Sequence, residues 1–379
     1  MYIRGIGRTK FGVLRESLDE LMLSAIDRAL QDARLFAADI DAIYVSNFLG
    51  EQAASQLHLG SVVSGFFPGL YLPAIRIEAA CASGGAAFYQ GSLTLDTHAN
   101  VLIVGAEKMS EMGTKAAATA IAMTGDRVLD QAQGLIFPAS YALIAQQHML
   151  EFGTTIEDLD LVSLKNHRNA NLNEYAHFYH KQVDLEMIRN APLVASPLTL
   201  FHCSPISDGA VALVLARDKL SQRDVKIKGS SLATDAISLA QRETAIGFPA
   251  ARAAARAAYE QSGVGPLDID IFQVHDCFSI AEITAMEDLG ICETGGGAEL
   301  VRESRTTLTG DIPVNTDGGL KANGHPIGAS GLAQIYETVG QIRGEAGARQ
   351  VPGVNLGLTH NIGGVGGTAV VTILEKCGA

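Results

Sequence analysis

The chain has 379 residues, 47% of them hydrophobic and only 18% charged, against a usual charged share of about 25%. A net charge of −13 argues against sequence-independent nucleic-acid binding through a phosphate-neutralising surface. The 40 glycines and the low charge exclude a disordered, charge-rich chain and imply a large buried core with many tight backbone positions.

A β-type run opens at Tyr2–Gly5, with no basic-then-apolar stretch ahead of it. No apolar run approaches the ~20 residues of a membrane span, so a cytoplasmic, reducing setting is expected. An alanine-rich helix is predicted over Leu21–Ala33, followed by the strand-like Asp39–Val45. Cys81 then stands among small residues where a strand meets an apolar helix. Val101–Gly105 is apolar on both faces, which predicts a parallel or mixed sheet covered on both sides. Helices are predicted over Tyr141–Glu151 and Thr155–Asn169.

From about residue 222 the pattern repeats. Lys226–Gly229 echoes Tyr2–Gly5, and the helix Ala250–Gln261 echoes Leu21–Ala33. Asp268–Val274 (DIDIFQV) echoes Asp39–Val45 (DIDAIYV), Ala329–Gly331 echoes Ala82–Gly84, and Val365–Val371 echoes Asp208–Val214. Matches in the same order predict a duplicated α/β core. Residues 110–200 have no counterpart in the second half. The expected domains are a core half of residues 1–109 and 201–221, an inserted loop domain of 110–200, and a second core half of 222–379.

Three segments carry candidate chemistry. Cys81 precedes a helix, whose unpaired N–H groups and positive dipole end favour thiolate and can stabilise an oxyanion. His325 lies in a glycine-rich run, three residues before the position that the repeat sets opposite Cys81, so the two halves bring a cysteine and a histidine to related places. His275 and Cys277 stand two residues apart at the end of the strand that repeats Val45, where α/β sheets place ligands. A structural cysteine, a capping histidine and a core histidine are the plain alternatives. Zinc on His275, Cys277 and a distant third ligand is the weakest reading. The five cysteines (81, 203, 277, 292, 377) are odd in number and lack a CxxC pair, so no disulfide framework, structural zinc or other bound metal is expected. Cys203, Cys292 and Cys377 read as structural, and His167, His177 and His180 as solvated surface.

Taken together, Cys81, the Gly324-His325-Pro326 motif, the duplication and the insertion resemble the thiolase superfamily over nearly the whole chain. His275-Asp276-Cys277-Phe278 resembles the HDCF motif of sterol carrier protein-type thiolases and their bacterial and archaeal acetyl-CoA acetyltransferase relatives. The resemblance implies two mixed-sheet halves layered α-β-α-β-α. It implies a CoA-dependent acyltransferase that makes or cleaves a 3-ketoacyl-CoA, with Cys81 as nucleophile, His325 as its base and His275 in an oxyanion site. Most thiolases carry a second catalytic cysteine where Asn361 stands here, and in the HDCF branch Cys277 takes that role. A second oxyanion site would use the N–H groups of Cys81 and Gly363, near Asn361. Coenzyme A, a substrate and not a bound cofactor, would lie near Phe278, Gly247, Pro249 and Ala251, although many thiolases have serine at the position of Ala251. The resemblance also implies a homodimer, and some relatives work with a small zinc-ribbon/OB-fold protein. The alternatives are a thiolase-like aldolase, which lacks the nucleophilic cysteine, and an acyl-CoA-binding subunit active only in a complex.

Overall fold

The computed structural model describes residues 1–378. In chain order its strands are β1 (Tyr2–Arg8), β2 (Ala42–Ser46), β3 (Ala74–Ile77), β4 (Asn100–Glu107), β5 (Leu193–Ala195), β6 (Leu198–Thr199), β7 (Gly209–Ala216), β8 (Val225–Thr234), β9 (Ile271–Gln273), β10 (Leu356–Gly363) and β11 (Thr368–Lys376). β5 and β6 form a small hairpin, and the others form one mixed sheet in the order β3-β2-β4-β7-β1-β8-β11-β10-β9. In the first half β2 runs parallel to β3 and β4, while β7 is antiparallel to β4 and β1. In the second half β10 is parallel to β9 and antiparallel to β11, which is antiparallel to β8.

The repeats seen in the sequence fall on equivalent elements: β1 with β8, β2 with β9, β7 with β11, and the helix Ser83–Leu93 with Ile327–Arg343. A parallel bridge from Phe272 to Val314 stands in the second half where β3 stands in the first. Among the described residues the half-sheets pair where Tyr2 faces Lys226 and Ile3 faces Val225, with the Ile227 N–H donating to the Met1 carbonyl beside them. The helices Ser83–Leu93 and Ile327–Arg343 pack on each other and touch strands of both halves, forming a middle layer. Leu18–Ala33 covers β1, β4 and β7 from outside, and Pro249–Ser262 covers β8 and β11. The five-layer α-β-α-β-α order follows from these contacts.

Local chemistry explains the helices. Ser17 and Glu20 form a capping box that starts Leu18–Ala33, which buries Leu21, Met22, Ala25, Ile26 and Ala29 on one stripe. Ile327–Arg343 is buried almost all round, as a helix between two sheets must be. Full burial of one side chain such as Leu332 stabilises the fold by about 2 kcal/mol. The middle helices meet closely at Gly331, where a Cβ would lie 2.2 Å from Asn361 Oδ1 and 2.5 Å from the Gly85 nitrogen.

Between β4 and β7 run the helices Phe137–Phe152 and Ile156–Ala170 and the β5–β6 hairpin, whereas β10 passes to β11 through a short turn. Both helices reach across to the helix Ser279–Asp288 of the second half. Lys165 pairs with Glu282 at 2.6 Å, and Asn166 Nδ2 donates to Asp276 at 2.7 Å and to Glu282 at 2.8 Å. Among the described residues no helix is long and apolar enough to cross a membrane.

Candidate active site

The chain leaves β3, passes Ala80 in the left-handed region (φ +52°), reaches Cys81 and enters the helix at Ser83. A non-glycine residue there stores strain on the order of 1 kcal/mol. Ser83 Oγ holds the turn, donating to the Ala80 carbonyl at 2.6 Å and accepting from the Ala79 N–H at 2.9 Å. Cys81 Sγ and one ring nitrogen each of His275 and His325 lie within 4.8 Å of one another, all buried. The imidazole rings meet edge-on, 5.3 Å apart.

The hydrogen bonds define the tautomers. Ser330 Oγ donates to the Pro326 carbonyl at 2.8 Å, so it accepts from His325 Nδ1–H at 2.7 Å. His325 Nε2 is therefore the basic nitrogen. Asn361 Nδ2 donates to the Cys81 carbonyl (3.0 Å) and to His275 Nδ1 (3.2 Å), and Asn361 Oδ1 accepts from the Gly85 N–H at 3.0 Å. The His275 proton thus sits on Nε2, which has no hydrogen-bond partner among the described residues. Asn361 is a clamp under the nucleophile loop, with no free proton-transfer group.

Burial decides the charge states. It pushes the Cys81 thiol up to about 12, with Glu107 and Glu78 adding to the rise against the N–H groups of Gly364 and Cys81. The N–H groups of Gly364 and Cys81 favour the thiolate, as expected, and desolvation outweighs them. Burial also lowers His325 and His360 to about 3, and lowers His275 well below its usual value with help from His325 and His360. Burial raises Cys277 well above the ordinary thiol range, and nearby Cys81 adds to this, while bonds from Tyr141 and the Phe278 N–H oppose it. The resting centre is a neutral thiol beside neutral imidazoles.

Cys81, Cys277, Phe278 and His325 line one mostly apolar cavity of about 540 Å³. The segment Cys203–Ile206 threads between their loops: Ser204 N–H donates to the Cys277 carbonyl at 2.9 Å, and Ile206 forms a bridge with His325. The Cys81, His275 and His325 donors are also spaced to hold a metal ion. Cys277 is not in that set, so the weak zinc reading on His275 and Cys277 does not match the convergence observed.

Several expectations shift. Gly363, expected with Cys81 in an oxyanion site, is the last residue of β10, in register with Thr368, and the N–H of Gly364 next to it bears on the Cys81 sulfur. Gly247, Pro249 and Ala251 do not line the cavity: Ala251 is fully buried in the core and only Pro249 is exposed. The spacing of Ala251, Ala254, Ala255 and Ala258 was the signal for a buried stripe. His167 is buried against Phe178 and Phe201, and His177 lines the cavity and bonds Ser207 at 2.8 Å, so neither is solvated surface; His180 is exposed. Cys203 also lines the cavity. Tyr141, whose hydroxyl donates to the Gly364 carbonyl at 3.2 Å, was not singled out by the sequence.

Comparison with known proteins places this geometry. A family model described as the thiolase N-terminal domain matches residues 1–219, and one described as thiolase C-terminal domain-like matches residues 231–376. The chain belongs to the thiolase family. This thiolase-family chain is 43% identical to an acetyl-CoA acetyltransferase of Methanothermobacter thermautotrophicus, over 98% of each chain. It is 33% identical to sterol carrier protein 2 of Homo sapiens, over 99% of this chain and 72% of that one. Among solved structures, an Ltp2-ChsH2(DUF35) aldolase aligns with a TM-score of 0.84 at 24% identity, covering 99% of this chain and 97% of that one. Human mitochondrial 3-ketoacyl-CoA thiolase in complex with CoA aligns at 0.74 and 18%, with the same coverage.

Proposed function

We infer that this thiolase-family chain is a CoA-dependent acyltransferase that makes or cleaves a 3-ketoacyl-CoA through an acyl-enzyme on Cys81. The observation that carries the reading is the meeting of Cys81, His325 and His275 beside an apolar cavity that Cys277 also lines. His325 Nε2 takes the Cys81 proton as the sulfur attacks the substrate's keto carbon. The N–H groups of Cys81 and Gly363 receive the developing oxyanion. The Cα–Cβ bond breaks, its electron pair passes to Cα as an enolate, and Cys277 supplies the proton that completes acetyl-CoA. A free CoA thiol then gives its proton to the Cys277 thiolate and attacks the acyl-Cys81 thioester, releasing the shortened acyl-CoA as the departing Cys81 sulfur takes its proton back from His325. In synthesis the steps reverse, and Cys277 removes the α-proton of a second acetyl-CoA. His275 Nε2–H and the protonated His325 face the enolate oxygen. The engaged amide of Asn361 supports giving the acid–base role to Cys277, as in the HDCF branch.

The domain reading of 1–109 with 201–221, 110–200, and 222–379 assigns the inserted loop domain to the substrate cavity. Ala118, Ile121, Phe137 and His177, all from that insertion, line it. CoA then enters along the insertion, with Pro249 at its outer edge. A homodimer through the open edge of β3 is supported by exposed Ile75 (55%) and Tyr71 (92%) at the unpaired side of that strand. Five free thiols support a reducing, cytoplasmic setting. The test is cleavage of acetoacetyl-CoA by the purified protein in the presence of CoA. The wild type cleaves and Cys81→Ala does not; an unchanged rate in that variant overturns the reading.

A further inference from the structure

Arg8 ends β1 and is a fully buried cation, 1% exposed. Its guanidinium stands 4.2 Å from the centre of the Phe11 ring, 5.3 Å from that of Tyr175 and 5.4 Å from that of Tyr336. Nη2 donates to Asn323 Oδ1 at 3.1 Å, and Nε makes a longer bond to the Thr9 carbonyl at 3.3 Å. Among the described residues no carboxylate hydrogen-bonds it. A buried cation is costly unless it is paired, and three ring faces and one side-chain carbonyl stand in for a counter-ion. Burial lowers the Arg8 pKa, Tyr336, Asp317 and Glu337 offset that and Arg349 adds to it, but a guanidinium keeps its charge. Methionine would fill much of the same space among the rings, so packing alone does not require a charge.

Asn323, the receiver of that bond, ends the short helix Gly319–Asn323 two residues before His325. Its Nδ2 donates to Asp317 Oδ2 at 2.5 Å, and its carbonyl accepts from the His177 N–H at 2.8 Å. Besides Arg8, its Oδ1 is met only by Asn173 Nδ2, at 3.3 Å. Gly324 follows with φ +113°, where a Cβ would lie 3.2 Å from Phe11 Cβ. Arg8 and Phe11, from the start of the chain, therefore brace the turn that delivers His325. Arg8 itself does not line the cavity. We propose that Arg8 is a positioning residue for His325: its guanidinium anchors the Asn323 side chain and so fixes the Asn323–Gly324–His325 turn that aims His325 Nε2 at Cys81. Without Arg8, Asn323 Oδ1 keeps only the long contact to Asn173, and the turn is free to shift. Ser330 sets which His325 nitrogen is basic, and Arg8 sets where that nitrogen stands. A misplacement of ~1 Å at such a group costs about a hundredfold in rate.

The proposal rests on His325 as the base for Cys81, and its test separates the two. Acylation by acetyl-CoA is followed by rapid quench, and the final amount of acetyl-enzyme counts the competent sites. Arg8→Met is expected to acylate about tenfold to a hundredfold more slowly per competent site, with the half-saturating acetyl-CoA concentration within about twofold of wild type. Loss of fold alone would lower the number of sites and leave the rate per site unchanged. Arg8→Lys keeps a cation among the rings but lacks the length and the fork to hold Asn323, so it should fold and slow acylation about threefold to tenfold. Adding either Arg8 substitution to Asn323→Ala should slow acylation no further than Asn323→Ala alone, because both remove the same contact. Should Arg8→Met not fold, Arg8→Lys carries both tests. If the folded Arg8 variants acylate at the wild-type rate, or if their effect multiplies fully with that of Asn323→Ala, the Arg8 proposal fails. If His325→Ala acylates like wild type, the reading of His325 as base fails instead.

Discussion

Ser330→Ala is the sharpest probe of how His325 is prepared. Ser330 Oγ accepts from His325 Nδ1–H at 2.7 Å and donates to the Pro326 carbonyl at 2.8 Å, and both residues are buried. Removing the hydroxyl leaves a buried N–H without an acceptor, which costs about 1–3 kcal/mol. The imidazole can escape part of that cost by moving its proton to Nε2, but that tautomer cannot accept the Cys81 proton. By either route the productive state loses about one to two powers of ten, at about 1.4 kcal/mol for each. The assay is the rate of CoA release as acetyl-CoA acylates Cys81, followed by rapid quench. Thermal denaturation alongside separates this effect from global loss of structure. Acylation should slow about tenfold to a hundredfold while the fold survives. A folded variant acylating at the wild-type rate would refute the tautomer argument.

The neutral resting state of Cys81 makes its own prediction. With the thiol near 12, inactivation by iodoacetamide should climb about tenfold per pH unit from pH 7 to 10 without a plateau. A flat rate across that range would mean a preformed thiolate–imidazolium pair. Asn361→Ala strips partners from the Gly85 N–H, the Cys81 carbonyl and His275 Nδ1, and should lower urea-unfolding stability by about 3 kcal/mol or more. Gly331→Ala drives a methyl into Asn361 and Gly85, and should cost about 3 kcal/mol in the same measurement. A fully stable Gly331→Ala would mean that the middle helices are not locked at this crossing.

Much of the core was readable because duplication writes the same short patterns twice, and the equivalent segments occupy equivalent strands and helices. Cys81, His275, Cys277 and His325 were legible for the same reason: loops at matching ends of two related half-sheets meet. What stayed hidden depends on tertiary contacts. The four groups look reactive in sequence, yet their charge states follow from burial that no local pattern records. Tyr141 reads as one more aromatic in an apolar helix until its ring stacks on Phe278 and its hydroxyl donates to the Gly364 carbonyl. His167 and His177 sit in a polar stretch, but the second half of the chain and the return segment Phe201–Ser207 enclose them. Gly363 and Gly364 are interchangeable in sequence, and only the end of the β10–β11 register decides which N–H turns toward sulfur.

The central claim is that Cys81 carries the acyl group and Cys277 moves the proton. Intact-mass and peptide mapping after mixing with acetyl-CoA tests both in wild type, Cys81→Ala and Cys277→Ala, with acetoacetyl-CoA cleavage measured in parallel. The account predicts an acetyl adduct on the Cys81 peptide in wild type and in Cys277→Ala, none in Cys81→Ala, and cleavage in wild type alone. Cleavage by Cys81→Ala, or full turnover by Cys277→Ala, would contradict it.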